Sequence, residues 1–260
     1  MGDGLEIIFL GTGTSQGVPV ITCDCEVCLS TDPKDKRLRS SIAIRKGNTQ
    51  VVIDSGPDFR QQMLRANINQ LDALVFTHAH KDHTAGMDDV RAYNYRAQKP
   101  MQVFCDDLVF ESLKREYHYV FDDAFSYPGI PQVERTRISK QDAFSVGEMK
   151  LIPIEVMHYK LPVLGFRVDN FTYITDANFI SEEEKEKIKG TEILVVNALR
   201  KEPHISHFNL EEALAFIDEI KPKKAYLSHI SHLMGLHKEV SKELPNNVEI
   251  AYDGLVLKST

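Results

Sequence analysis

No tryptophan occurs in this 260-residue chain, cysteine is limited to four positions, and no apolar run approaches the about 20 residues of a membrane-spanning helix. The last absence argues against a membrane partner. A basic excess is also missing: 38 acidic side chains against 31 basic ones leave a formal net charge of −7. A broad electrostatic footprint for nucleic acid is therefore not expected, although a local basic patch stays open. Met1-Gly2-Asp3-Gly4 begins neither a basic segment nor a long apolar stretch, so no signal peptide is expected. A myristoylation reading fails at position 6, which is Glu rather than Ser or Thr. The expected location is the cytoplasm, where thiols stay reduced and four cysteines do not make a disulfide framework. Internal repeats, low-complexity segments and linkers are absent as well. A hydrophobic share of 42% with 27% charged residues is ordinary for a globular chain, and the length allows one or two domains.

What the chain does have is a dense run of ligand-type side chains. Thr77-His78-Ala79-His80-Lys81-Asp82-His83 puts three imidazoles and one carboxylate within six residues. Two His separated by one residue, then an Asp and a third His, can supply two metal ions at once. Imidazole suits zinc, iron and manganese-like ions, and the carboxylate adds a harder ligand. The apolar run at 71–76 reads as a buried strand, and Thr84-Ala85-Gly86 breaks the pattern after the motif. The ligands thus fall on a loop at a strand's end, where α/β proteins place active sites.

Strand-like runs rich in Val, Ile and Phe recur at 6–10, 41–45, 50–54, 72–77, 102–105, 146–156, 164–168, 171–175, 192–197, 224–228 and 248–257. Helical patterns stand at 58–66, 87–96, 108–119, 181–189 and 209–220. The last two open on Ser181 and Asn209 as N-caps, and Leu210, Leu214, Phe216, Ile217 and Ile220 form an apolar stripe. Residues 121–131, with Gly129 and two prolines, read as a loop. Strands outnumber helices and several follow one another directly, which favours two sheets with helices outside over an alternating βαβ sheet.

The remaining His and Asp follow a pattern. His158 comes just after a strand, and Asp176 and His229 end two others. With His78, His80, Asp82 and His83 they make seven, about the number needed by two ions sharing a bridging water and a bridging carboxylate. In this order the chain resembles the metallo-β-lactamase superfamily over nearly its whole length. The resemblance implies an α+β fold, an αββα sandwich of two packed mixed sheets with helices on the outer faces, formed as a single hydrolase domain over residues 1–260. It implies two divalent ions, manganese or zinc: His78, His80 and His158 on one, Asp82, His83 and His229 on the other, and Asp176 bridging. Asp82 counts with the catalytic residues for that reason.

Cys23-Asp24-Cys25-Glu26-Val27-Cys28 spells C-x-C-x-x-C. Three thiols this close suggest a structural zinc site short of one ligand, and His232, three residues beyond His229, could complete it; a redox pair or inert loop thiols are the alternatives. Cys105, at a strand's end, reads as a small buried residue. The run Gly11-Thr12-Gly13-Thr14-Ser15-Gln16-Gly17-Val18-Pro19 is not a dinucleotide fingerprint, since its spacing is one residue too long and Pro19 follows where a helix is needed. It reads as a tight loop bringing backbone close to the site, with Ser15 or Gln16 near a substrate.

The glycine run followed by Cys23, Cys25 and Cys28 is similar to the PhnP-type branch of the superfamily, phosphodiesterases related to the ribonuclease Z enzymes. That branch implies a Cys₃His zinc on Cys23, Cys25, Cys28 and His232, a homodimer, and a catalytic histidine that is not a ligand. His207, 22 residues before His229, matches that histidine's position; His204 is the competitor. His118, His204 and His237 are otherwise expected at the surface. The reaction implied is hydrolysis of a small, cyclic phosphodiester by a metal-held hydroxide, with His207 as general acid. A transfer-RNA 3′-processing nuclease is disfavoured: Phe208 stands where a Glu would pair with the histidine, a protruding basic arm is missing, and the net charge opposes a structured RNA. Thioester or lactam hydrolysis is the other alternative, but those relatives lack the cysteine cluster. Tyr127, Arg135 and Arg137, in the 121–137 segment, are candidates for substrate specificity.

Overall fold

Because side chains of a strand alternate between its two faces, runs such as Val51-Val52-Ile53 need apolar cover on both sides. The computed structural model, which describes residues 4–122, 124 and 127–259, supplies it with two seven-stranded sheets. Residues 1–3, read above for a targeting segment, and three residues of the 121–131 loop lie outside the described part.

The strands are β1 (Leu5–Gly11), β2 (Ser41–Lys46), β3 (Thr49–Ile53), β4 (Ala73–Val75), β5 (Met101–Cys105), β6 (Val133–Arg137), β7 (Phe144–Val146), β8 (Met149–His158), β9 (Leu161–Val168), β10 (Phe171–Tyr173), β11 (Ile193–Asn197), β12 (Lys224–Ser228), β13 (Val248–Ile250) and β14 (Val256–Lys258). The helices are α1 (Glu26–Leu29), α2 (Phe59–Arg65), α3 (Lys81–Thr84), α4 (Arg91–Ala97), α5 (Asp107–Glu116), α6 (His118–Phe121), α7 (Glu182–Ile188), α8 (Leu210–Ile220) and α9 (His237–Val240). One sheet runs β14-β1-β2-β3-β4-β5-β6, the other β13-β12-β11-β10-β9-β8-β7. Each is mixed: β14 to β3 and β10 to β7 pair antiparallel, while β3 to β6 and β10 to β13 pair parallel.

Val51 and Ile53 enter a core shared with Phe166, Phe171, Tyr173 and Val195 of the other sheet. Val52 faces outward onto Phe59 and Met63 of α2 and Val109 and Leu113 of α5. On the second sheet Leu194 and Val196 face Ile188 of α7 and Ala213, Phe216 and Ile217 of α8. The result is the expected αββα sandwich, its central layer closed by apolar burial from both sheets. α8 starts on a capping box: Glu212 N donates to Asn209 Oδ1 (2.8 Å) and Asn209 N to Glu212 Oε2 (2.9 Å). Among the described residues no helix is long and apolar enough to cross a membrane.

Four local expectations change. The run at 146–156 is a hairpin, β7 and β8, turned at Gly147, whose φ of +51 favours glycine. The run at 248–257 divides between the sheets, β13 to one and β14 to the other. Residues 87–96 begin as a 3₁₀ turn (Met87–Val90), and 108–119 breaks at Tyr117 into α5 and α6. β6 escapes a reading from sequence because its Val-Glu-Arg-Thr-Arg pattern is that of a charged edge strand, which carries little apolar signal.

His237 is not at the surface. It is buried with Nδ1 3.2 Å from Arg37 Nη2, and its backbone N–H donates to Asp35 Oδ1 (2.8 Å). Arg37, also buried, donates through Nη1 to Thr12 Oγ1 (2.8 Å) and to the Ala251 carbonyl (2.6 Å). Burial, then the Arg37 charge, push His237 from an ordinary 6.5 down to about 4. The folded chain thus holds this imidazole neutral where the unfolded chain would protonate it. Its contribution is complete above pH 6.5 and is lost as pH falls toward 4, about 3 kcal/mol in all. Urea unfolding of wild type and His237→Asn should show the difference in stability shrinking by that amount between pH 7 and pH 4. A pH-independent difference would rule the effect out.

Candidate metal centre

The motif loop leaves β4 and runs through Thr77 into α3, so His78 and His80 precede the helix while Asp82 and His83 lie within it. Its path is fixed by close backbone packing. A Cβ on Gly56 would stand 2.0 Å from the Asp82 carbonyl oxygen, so only glycine fits there. Ser55 N donates to His83 O (2.8 Å), and Leu164 N of β9 reaches across to Thr77 O (3.0 Å). The second sheet contributes from the ends of β8, β10 and β12 and from the loop that leads into α8. His158 closes β8, Asp176 follows β10, His207 precedes α8, and His229 follows β12. Asp176 and His229 take φ values of +57 and +56, an uncommon backbone state for residues with a side chain and one that clusters at functional sites.

These residues converge. Ligand atoms of His78, His83 and Asp176 lie within 4.8 Å of one another, as do those of Asp82, His83 and His229, and those of His158, Asp176 and His207. Asp176 is central: its Oδ2 is 3.3 Å from His83 Nε2 and 3.4 Å from His229 Nδ1, and its Oδ1 is 3.7 Å from His207 Nδ1. Asp82 Oδ2 is 3.2 Å from His83 Nε2. His80 stands on the exposed side, its ring centroid 4.6 Å from His78 and 5.1 Å from His158. The His158 Nδ1–H donates to Ser206 O (2.8 Å), which leaves its Nε2 lone pair free. His78 Nδ1 is held at 2.9 Å from Thr77 Oγ1.

The donor set fits divalent cations on its own evidence. His78 Nε2, His83 Nε2 and His207 Nδ1 are buried without a hydrogen-bond partner, a costly condition that a cation would relieve. His83 shows the local charge balance. Burial pulls its pKa down, but the carboxylates of Asp54, Asp176 and Asp82 outweigh burial and hold it well above the ordinary value. Asp176 is held well below the ordinary carboxylate value: His229 and His83 outweigh its burial. The site draws in positive charge, which a metal ion supplies as well as a proton does. His78 is pushed well down by burial, then by His83.

Two groups of supporting residues were not read from the sequence. Asp54, fully buried after β3, accepts from Thr77 N (2.9 Å) and Thr77 Oγ1 (2.8 Å) and stands 2.7 Å from His83 Nδ1. This is the carboxylate–histidine pairing that fixes the tautomer of a ligating imidazole. The only sequence signal was an Asp ending a strand; the structure adds its φ of +65. From the glycine run, Thr14 reaches the site, its Oγ1 3.2 Å from His229 Nε2, with Ser40 Oγ 3.2 Å from Nδ1 of the same ring. Ser15 and Gln16, singled out above, are exposed. The run is tight as expected: a Cβ on Gly11 would meet the Arg39 carbonyl oxygen at 1.9 Å.

The cysteines form a separate cluster. Cys23, Cys25 and Cys28 Sγ lie 3.3, 3.3 and 3.6 Å from His232 Nδ1. Tetrahedral zinc with Zn–S of about 2.3 Å and Zn–N of about 2.0–2.1 Å sets its S···N edge at roughly 3.6 Å, so these spacings match a Cys₃His cage. All three are free thiols. The Cys28 backbone N–H, then His232, draw Cys25 down to about 6, while burial pushes Cys28 up to about 11. Thr14 N to Ile230 O (3.1 Å) and Ile230 N to Thr12 O (2.8 Å) join the N-terminal loop to the strand end that carries His229 and His232.

Cys105 is buried as expected. His204 is half-buried, its ring centroid 5.2 Å from His207, and His118 is exposed. Arg135 and Arg137 are already paired with Asp107 (2.6 and 2.7 Å). Tyr127 lines a cavity of about 650 Å³ between α4 and the 127–133 segment, which contains none of the converging residues.

An αββα sandwich with histidines and carboxylates gathered at one edge of both sheets defines a metallo-β-lactamase-fold hydrolase, a class whose chemistry runs on divalent metal ions. The profile of the beta-lactamase superfamily domain matches residues 49–230, and the chain belongs to that family. A crystal structure of a diphosphatase from the PhnP family superposes with a TM-score of 0.92 at 36% identity, over 98% of this chain and 97% of that one. Zinc-bound PqqB from Methylobacterium extorquens shares the fold, with a TM-score of 0.79 at 18% identity over 97% of this chain and 99% of that one. An octanoyltransferase of Porphyromonas gingivalis is 38% identical over 253 residues, 96% of this chain but 51% of that protein. The chain spans about half the length of the curated relatives it matches.

Proposed function

We propose that the chain is a phosphoric diester hydrolase acting on a small, cyclic phosphodiester, with no structured nucleic acid among its substrates. The observation that carries this reading is the gathering of His78, Asp82, His83, His158 and His229 about Asp176, with His80 against the His78 and His158 rings and His207 beside them, 3.7 Å from the Asp176 carboxylate. The likeness to a PhnP-family diphosphatase supports cleavage at phosphorus.

In this reading His78, His80 and His158 hold one divalent ion, Asp82, His83 and His229 hold a second, and Asp176 spans both. Zinc or manganese suits these donors. Cys23, Cys25, Cys28 and His232 hold a structural zinc that braces the glycine loop. When bound, the two ions supply hydroxide at neutral pH and neutralise charge on the phosphoryl oxygens. The protein's own part is orientation and proton management. Asp54 keeps the Nδ1 proton on His83 and Ser206 O keeps that on His158, so the other nitrogen of each ring faces inward. His207 gives a proton to the leaving alkoxide, which departs poorly without one. Burial, then His229, push His207 down to about 3, so it rests neutral; an anionic substrate alongside raises its affinity for a proton. A homodimer completes the reading, and sedimentation of the purified protein tests it.

The decisive experiment supplies the protein with manganese, zinc or nickel and assays bis(p-nitrophenyl) phosphate, a diphosphate diester, a thioester and a chromogenic lactam in parallel, alongside elemental analysis. Diester turnover with about three metals per chain is expected. Thioester or lactam turnover without cleavage at phosphorus would overturn the assignment.

A further inference from the structure

We propose that Asn197 is a positioning residue of the metal centre: its buried side-chain amide fixes Asp176 and His207 relative to each other through the backbone that follows each of them. The inference rests on the two-ion hydrolase reading and extends the machinery by one residue that binds no ion.

Asparagine is mostly an exposed residue, and each polar atom of its amide costs free energy when buried without a partner. Asn197, the last residue of β11, is 0% exposed. Both of its polar atoms are spent on one residue. Oδ1 accepts from Ala177 N (2.8 Å) and Nδ2 donates to Ala177 O (2.9 Å). The backbone ladder between β10 and β11 has stopped by then: its last pair is Tyr173 with Val195, followed by Ile174 N donating to Val195 O (2.9 Å). The side chain therefore continues, at Ala177, the pairing that the main chain no longer provides. Ala177 O takes a second bond, from Phe208 N (2.7 Å), and Phe208 O accepts from Leu199 N (2.9 Å), two residues beyond Asn197. On its other side Asn197 is in register with Ser228 of β12. Ala177, Phe208 and Ser228 are the immediate neighbours of Asp176, His207 and His229.

Asp176 has most need of such a tie. A residue with a side chain keeps a φ of +57 only where its surroundings impose it. Thr175 Oγ1 donates to Asp176 Oδ2 (2.7 Å) and steers the carboxylate, but the main chain beyond it is held at Ala177. Ala177 O is also where the two catalytic segments meet. One of its lone pairs goes to Asn197 and the other to Phe208, so a single atom sets the distance from the Asp176 turn to the His207 loop. A parallel tie, Asn178 Nδ2 to Ile205 O (3.2 Å), is exposed and open to competition from water, whereas both Asn197 bonds are buried. Because the amide binds main chain only, it holds this arrangement with or without ions in the centre, which is what a preorganised site requires.

The test removes the amide in two ways. Asn197→Ala leaves space where it stood, and Asn197→Leu refills that space without polar atoms. Wild type and both variants, loaded with zinc, are dialysed against graded dipicolinate and analysed for zinc. The concentration that strips the ions of the Asp176 centre is expected to fall about 10–100-fold in both variants, while the ion of the cysteine cluster leaves at the wild-type concentration. At saturating zinc, kcat on bis(p-nitrophenyl) phosphate is expected to fall by about the same factor, with KM within about twofold. Unchanged stripping would overturn the proposal. So would recovery in Asn197→Leu, which would make position 197 a matter of volume, or an equal shift for every ion, which would mean a general loosening of the fold. If neither variant folds, hydrogen exchange of the wild type decides. The Ala177 N–H is expected to stay protected before and after dipicolinate strips the Asp176 centre; protection lost with the ions would overturn the proposal, since the ions and not Asn197 would then hold the turn. A wild type that retains only the cysteine-cluster ion would instead overturn the two-ion reading, and one that holds its metals yet cleaves no phosphodiester would overturn the hydrolase reading.

Discussion

His207→Ala should lower kcat by about 10²–10⁴-fold on a cyclic sugar phosphodiester, whose leaving group is an alkoxide, while metal content stays at the wild-type level. The same variant should lose far less on bis(p-nitrophenyl) phosphate, because p-nitrophenolate departs without a proton. This contrast separates a proton donor from a group that merely packs. It also separates a donor from a ligand, a real alternative here because His207 clusters with His158 and Asp176 within 4.8 Å. If the two substrates lose turnover equally and metal content falls with them, His207 belongs to the coordination sphere and the acid must be sought elsewhere, with His204 first in line.

Asp176→Asn should reduce bound metal from about three ions per chain to about one, the remaining ion being that of the cysteine cluster. Turnover of every diester should fall by at least the about 10²–10³-fold that loss of one preorganised electrostatic group costs. The side chain keeps its size, so packing around it survives. What goes is the negative charge that faces His83 Nε2 at 3.3 Å and His229 Nδ1 at 3.4 Å in a site almost without solvent. In the proposed two-ion site the cations would repel each other, and the buried Asp176 carboxylate would be the main counterweight. Elemental analysis with matched kinetics reads the outcome. A full metal complement and wild-type turnover in the Asp176→Asn variant would remove Asp176 from the centre of the chemistry.

Much of this was legible along the chain, and the reason differs from residue to residue. His78, His80, Asp82 and His83 are contiguous, so their shared destination can be seen without knowing the fold. Cys23, Cys25 and Cys28 are legible for the same reason. Asp54 was not: an Asp at a strand's end carries no signal until β3 pairs in parallel with β4 and brings it under His83. His237 reads as a surface residue because a His with no ligand-type neighbour beside it gives no hint of Arg37, which is 200 positions away. Thr14 rather than Ser15 meets His229 because the loop's path is set by Gly11 against Arg39, a contact between distant segments. The 248–257 run reads as one strand since apolar residues stand at both of its ends, yet it divides at Gly254 (φ +90) to serve both sheets.

The sequence by itself determined which chemical groups are available, and its succession of short runs rich in Val, Ile and Phe favoured two sheets with helices outside. Only the tertiary structure decided which carboxylate orients which imidazole and which nitrogens are left without partners. Those are relations between strand ends, and a strand end's position depends on register and on packing across the sandwich. Both are properties of pairs of segments that no single stretch of residues encodes.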